Sequence, residues 1–194
     1  TYAGKNIGFS NGCDISCNIA LGYNAGYQVK NGPLNSVSEN ILIGTCAGLF
    51  SCGACNIYIG TRAVAGSIGD MVGDNNIGIG RAGDVITTGS DNITIGQDAD
   101  PSSASASNQI VIGSGATGHG DNIIVMGNGS ATAIHPHDDN EVDLGSNDYG
   151  FKNLYLDGIA YVDGIDLNGT SVSATAAELN FVDGVTSALQ TQLD

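Results

Sequence analysis

A five-residue phrase, Asn-Ile-x-Ile-Gly, returns along the first two-thirds of the chain and limits what the chain can fold into. It reads Asn18-Ile19-Ala20-Leu21-Gly22, Asn40-Ile41-Leu42-Ile43-Gly44, Asn56-Ile57-Tyr58-Ile59-Gly60, Asn76-Ile77-Gly78-Ile79-Gly80 and Asn92-Ile93-Thr94-Ile95-Gly96. Looser copies follow at Gln109-Ile110-Val111-Ile112-Gly113 and Ile123-Ile124-Val125-Met126-Gly127, and Asn6-Ile7-Gly8-Phe9 reads as a worn first copy. Internal repetition at this period is the mark of a fold built by stacking identical units rather than by closing around one pocket.

The closing glycines stand 22, 16, 20, 16, 17 and 14 residues apart. The short intervals fit one coil of a β-solenoid, and the long ones fit the same coil with a loop insertion, around residues 30–36 and 68–74. Seven coils at a strand spacing of about 4.8 Å would rise on the order of 30 Å. Composition agrees with thin layers. Glycine makes up about 15% of the chain, twice its usual share, and tryptophan is absent, so no core can form around large rings.

Within each phrase the two Ile positions share a strand face. The expectation is that this face is the coil core, made of Ile41, Ile43, Ile57, Ile59, Ile77, Ile79, Ile93, Ile95, Ile110 and Ile112. The Asn then sits at a corner, and the Gly takes a positive φ at the next one. A small residue follows three places on, Ala25, Ala47, Ala63, Ala99 and Ala116, with Ala82-Gly83 in the fifth copy, and is expected to be a second inward position. The middle residue then faces outward. At Leu42, Tyr58, Val111 and Val125 it is apolar, so this face is expected to be covered by other chains.

From about Asn140 the rhythm changes. Asp157-Gly158, Asp163-Gly164 and Asn168-Gly169 are tight-turn dipeptides that predict a module of short strands over residues 135–173, after a repeat region over residues 1–134. Thr175-Ala176-Ala177-Glu178 and Ser187-Ala188-Leu189-Gln190 fit the capping box that starts helices. Residues 174–194 are therefore expected to be helical, with Leu189 and Leu193 four apart on one face and opening a coiled-coil shaft beyond Asp194. The fold class expected is all-β, coils first, then the short-strand module, then a short C-terminal helix.

Five basic against twenty acidic residues give a net charge of −15, which excludes a nucleic-acid partner. No apolar run reaches the roughly 20 residues of a membrane span, so membrane insertion is not expected.

The phrase with its trailing small residue resembles the head repeats of trimeric autotransporter adhesins and the equivalent repeats of bacteriophage fibres. Leu144-Gly145-Ser146, the run from Phe151 to Gly158, and above all Ala174-Thr175-Ala176-Ala177-Glu178-Leu179-Asn180-Phe181-Val182-Asp183-Gly184-Val185-Thr186-Ser187 are similar to tail-fibre segments from phages of aquatic bacteria. The resemblance implies a homotrimeric, non-enzymatic fibre segment on a virion. Its partners would be two further copies of itself, other virion proteins and a host-surface glycan or protein, and Leu42, Tyr58, Val111, Val125, Leu189 and Leu193 would lie at the trimer interface. A bacterial surface adhesin or extracellular fibril on the cell surface is the alternative, and a capsule-degrading spike the third reading.

Three groups are candidates for chemistry. His135-Pro136-His137 places two imidazoles at period-two spacing, so three chains would offer six nitrogens to a structural iron or zinc, although the proline weakens a strand there. Cys13, Cys17, Cys46, Cys52 and Cys55 admit buried thiols, disulfides or a zinc site, with Cys17 and Cys55 in the same slot before the Asn. Asp70, Asp74, Asp98 and Asp100 fit calcium-binding or simply solvated turns. No catalytic triad, phosphate loop or metal-hydrolase motif is present.

Overall fold

The computed structural model describes residues 15–27, 37–65, 72–139 and 141–180. The chain divides into two compact units, Thr1–Ile134 and His135–Asp194.

The first unit is a parallel β-solenoid. A short pair, β1 (Ile15–Ser16) and β3 (Val37–Ser38), runs parallel at its start. The main sheet stacks one three-residue strand from each phrase: β2 (Ile19–Leu21), β4 (Ile41–Ile43), β5 (Ile57–Ile59), β6 (Ile77–Ile79), β7 (Ile93–Ile95), β8 (Ile110–Ile112) and β9 (Ile124–Met126). All pair in parallel and in strict register, so that Ile41, Ile57, Ile77, Ile93 and Ile110 form one column and Leu42, Tyr58, Gly78, Thr94 and Val111 the next. Each closing glycine has positive φ, and at Gly60 (φ +135°) an added Cβ would lie 2.5 Å from the carbonyl oxygen of Gly80 in the next coil. The glycine is therefore demanded twice, by the corner and by the stacking.

The expected assignment of faces is reversed. The middle residue points into the coil: Leu42, Tyr58, Thr94 and Val111 are buried, and Val125 occupies the same slot, half-buried, in the last strand. The isoleucines assigned to the core, Ile41, Ile43, Ile57, Ile59, Ile77, Ile79, Ile93, Ile95, Ile110 and Ile112, point outward and remain partly or well exposed. The reason is the parity of the Asn. Residues two apart share a face, and Asn40, Asn56, Asn76, Asn92 and Gln109 are fully buried, which carries the middle residue inward with them.

The buried amides are satisfied by their neighbours in the stack. Asn40 Oδ1 accepts the Asn56 N–H (2.8 Å), Asn56 Oδ1 that of Asn76 (2.8 Å), Asn76 Oδ1 that of Asn92 (3.1 Å) and Asn92 Oδ1 that of Gln109 (3.1 Å). Their Nδ2 groups donate to the carbonyls of Gly53, Gly73, Gly89 and Ala106 across the coil. A polar residue is tolerated inside because donor and acceptor both find partners there.

The alanine row is inward as expected: Ala25, Ala47, Ala63, Ala82, Ala99 and Ala116 are all buried. Volume is balanced across each layer. Leu42 and Tyr58 press against Gly48, where an added Cβ would lie 2.7 and 3.0 Å from them. Where the middle residue shrinks to Gly78, Val64 fills the gap, with its Cγ2 2.5 Å from the point a Cβ would occupy. Val64 does so at φ +46°, a conformation that β-branched residues rarely take. The core runs as two clusters, one around Leu42, Tyr58, Val64 and Ile86, the other around Ala82, Ala99, Val111 and Ala116.

Among the described residues of the second unit the short-strand module is reduced to one hairpin, β10 (Asp166–Leu167) with β11 (Thr170–Ser171). Its turn is Asn168-Gly169, with φ +55° and +81°, and Asp166 Oδ1 accepts the Gly169 N–H (2.7 Å). Asp157-Gly158 and Asp163-Gly164 join no strands. The reason is that this stretch lacks a stack: Tyr149, Tyr155 and Tyr161 are 83 to 90% exposed, so no apolar packing there holds further strands beside one another. The first capping box forms as expected at α1 (Ala176–Asn180), Glu178 accepting the Thr175 N–H (2.8 Å) and Thr175 Oγ1 accepting that of Glu178 (3.2 Å). Leu189, Leu193 and the second capping box lie outside the described residues.

Candidate functional site

The outward columns of the solenoid make a continuous, regular surface on its main sheet. One column is Ile19, Ile41, Ile57, Ile77, Ile93, Ile110 and Ile124; the other is Leu21, Ile43, Ile59, Ile79, Ile95, Ile112 and Met126. Apart from Leu21 and Met126 at the ends of one column, identical β-branched side chains repeat at the strand spacing of about 4.8 Å. Exposure runs from 36% at Ile59 and Ile112 to 63% at Ile124, and the more central members are half-buried by their neighbours. We put the exposed apolar area on the order of 800 Å², above the roughly 300–600 Å² of a typical largest patch.

Polar columns border this stripe on both sides. Immediately before the first residue of each phrase the backbone is in the left-handed region, φ between 53° and 62°, at Cys17, Glu39, Cys55, Asn75, Asp91, Asn108 and Asn122. Asn and Asp tolerate that conformation best, and successive members bond across coils, Asn75 Nδ2 to Asp91 Oδ1 (3.1 Å) and Asn108 Nδ2 to Asn122 Oδ1 (2.8 Å). Beyond the glycine corner lie exposed Thr45, Thr61, Arg81, Gln97 and Ser114. Arg81 is ion-paired to Asp98 of the next coil, which raises its pKa. An apolar centre with a polar, hydrogen-bonded rim is the anatomy of a contact surface.

The remaining candidates separate. Leu42, Tyr58 and Val111, expected at a subunit contact, are enclosed by their own coil, and burial pushes the Tyr58 phenol well above its ordinary pKa. Cys17 and Cys55 are exposed rather than packed at a buried corner, because their slot is the outward left-handed one; Cys52 is buried. Cys55 Sγ donates to Glu39 (3.4 Å), and that bond and partial desolvation raise its pKa, which makes the thiol less reactive. Cys13 lies outside the described residues.

His135 and His137 lie exposed on an irregular stretch, with His137 Nδ1 3.0 Å from Asp138. Asp74 accepts the Ala54 N–H (2.7 Å), Asp98 pairs with Arg81, and Asp70 is outside the described residues. Asp84 and Asp100 are half-buried, and desolvation raises both pKa values. Among the described residues no group of three or more His, Cys, Asp or Glu is placed to hold a metal ion, and no helix is long and apolar enough to cross a membrane.

The rim column and the amide column were not read from the sequence. Their trace was present in the residue preceding each Asn, which is Asn, Asp, Glu or Cys in every clear copy and never a large apolar residue. No protein-family model, curated protein or solved structure matches this chain.

Proposed function

We propose that the chain is a structural segment of a trimeric fibre on a bacterial virus, with a mechanical role in attachment to a host surface. What carries this reading is the pair of outward isoleucine columns. An area on the order of 800 Å² is about what one partner contributes to a standard protein interface, and its flat periodic shape suits an extended neighbour of the same kind rather than a small ligand. Each internal amide is bonded to the coils above and below, so a rod of such coils resists local opening. The reading as a fibre of a virus, rather than of a cell surface, rests on the resemblance of residues 144–158 and 174–187 to tail-fibre segments. Several identical arms would then hold a surface through many weak contacts.

Sedimentation of the purified chain tests the reading. A trimer that falls apart when Ile59→Asp and Ile79→Asp are introduced together is the expected result. A wild-type chain that stays monomeric at all concentrations would overturn it, and purified assemblies that bind no bacterial surface would remove the attachment role.

A further inference from the structure

Residues 142–167 pose a different problem from the solenoid. Their large apolar residues are 49 to 90% exposed, and they come as pairs two residues apart, among them Val142 and Leu144, Leu154 and Leu156, Ile159 and Tyr161. In an extended chain each pair shares a face. The spacing is that of the outward pairs of the solenoid. Summed over the stretch the exposed apolar area is on the order of 1,500 Å², several times a typical largest patch and about twice one partner's share of a standard interface. The backbone is equally unpaired within the protein: between residues 142 and 164 the Ser146 N–H donating to Tyr149 O (3.2 Å) is the one backbone–backbone hydrogen bond among the described residues.

We propose that residues 142–167 form an obligate association segment, covered by the same segment of other copies of this chain and acquiring its strand pairing only in that assembly. This rests on the reading that the chain self-associates. The area exceeds what a small ligand could cover. The charge removes an anionic membrane or nucleic acid as the occupant, because the segment carries Asp143, Asp148, Asp157, Asp163 and Asp166 against Lys152 alone. A second copy supplies the matching two-residue spacing of apolar pairs and unpaired backbone to bond with. Like charges then meet in the assembly, which gives the proposal a signature: added salt tightens association, whereas a basic partner would be bound more weakly.

The experiment is amide hydrogen exchange on the full chain, read by mass spectrometry above and below the concentration at which sedimentation shows assembly. In the monomer the strands β4 to β8 exchange slowly and residues 142–167 exchange freely; in the assembly the segment slows by at least about 100-fold. The double substitution Leu154→Asp with Leu156→Asp weakens association at least about 100-fold and leaves solenoid protection unchanged. Between about 0.05 and 0.5 M salt the wild-type dissociation constant falls.

Protection of the segment in the monomer, or an assembly in which it stays unprotected, would overturn the proposal while leaving self-association intact. A chain that never assembles would end both. Self-association weakened by salt would mean that opposite charges rather than apolar pairs hold the copies together, and would overturn the proposal.

Discussion

The solenoid and residues 141–180 draw on the same vocabulary of β-branched and aromatic residues two apart, yet one buries Tyr58 to 1% exposure and the other leaves Tyr161 at 90%. The difference is what stands between the pairs. In the solenoid each pair is bracketed by an amide that bonds to the next coil and a glycine that lets the next coil approach. In the later stretch the brackets are Asp-Gly turns, which reverse a chain locally but bind to nothing above or below. Apolar pattern supplies the wish to be buried; stacking requires backbone and amide partners placed at a fixed period.

Matched substitutions in the two regions test this contrast, and glycine gives the largest gap. Gly60→Ala forces a Cβ against the Gly80 carbonyl at φ +135° and should destabilise the solenoid by at least about 4 kcal/mol, among the most severe single changes. Gly158→Ala, with nothing within 4 Å and no positive φ, should be neutral or stabilise by up to about 1 kcal/mol. Urea midpoints of the two variants at equal protein concentration measure both.

Tyrosine comes next. Tyr58→Ala empties the middle of a layer and should cost about 3–5 kcal/mol, whereas Tyr155→Ala, 86% exposed, should change monomer stability by less than about 0.5 kcal/mol. Equal losses in the two would mean that residues 141–180 possess a core of their own, and the contrast would fail.

The amide column ranks third. Asn76→Ala leaves the buried Asn92 N–H and the Gly89 carbonyl without partners, at a cost of about 2–4 kcal/mol. Asn153→Ala removes only an exposed bond to the Tyr155 hydroxyl (3.3 Å) and should fall within about 0.5 kcal/mol of wild type. Thermal melts suffice to separate them.

The fourth substitution asks how each layer keeps its volume. Gly78→Ala drives a Cβ to 2.5 Å from Val64 Cγ2 and should cost about 1–3 kcal/mol. Val64→Ala in the same chain should recover part of that loss, because it removes the opposing methyl groups at a position whose φ of +46° already strains valine. Additive losses would show that the two residues do not share one layer.

These cases also explain what could be read in advance. The coil period, the glycine corners, the alanine row and the helix start at Thr175 are local or strictly periodic, and each appears in the sequence as spacing. The choice of inner and outer face does not. It turns on whether Asn40, Asn56, Asn76 and Asn92 lie inside, and a buried amide looks costly until the donors and acceptors of the neighbouring coil are known. Regular isoleucines suggest a core, whereas here regularity marks the outer columns. The variable slot, from Gly78 to Tyr58, is the one where each coil adjusts its own volume against Gly48, Val64 or Gly83. The same parity puts Cys17 and Cys55 on the exposed rim, so that of the readings open for the cysteines a buried thiol does not apply at these two.

The smallest effect concerns pH and runs in opposite directions in the two regions. Desolvation, and then the charge of Asp84, raise the pKa of half-buried Asp100 above 3.8, against which the Val85 and Asp84 N–H groups pull it down. Asp84 in turn is raised by desolvation despite Arg81 and Arg62 nearby. A group with a raised folded pKa takes up its proton more readily in the folded chain, so stability falls as pH rises from the unfolded value through the folded one. Asp100→Asn should therefore match wild type near pH 4 and exceed it at pH 7, by no more than about 1 kcal/mol because solvent screens the site. Glu178, whose pKa is lowered by the Thr175 N–H and then its hydroxyl, has the opposite sign: its support for α1 is present above the unfolded value and is lost as pH falls through the folded one. Acid should thus fray α1 while relieving the solenoid at Asp100. Chemical shifts at Thr175 and Val85 followed through the same titration would show the two moving apart, and a common drift would mean that both report global unfolding.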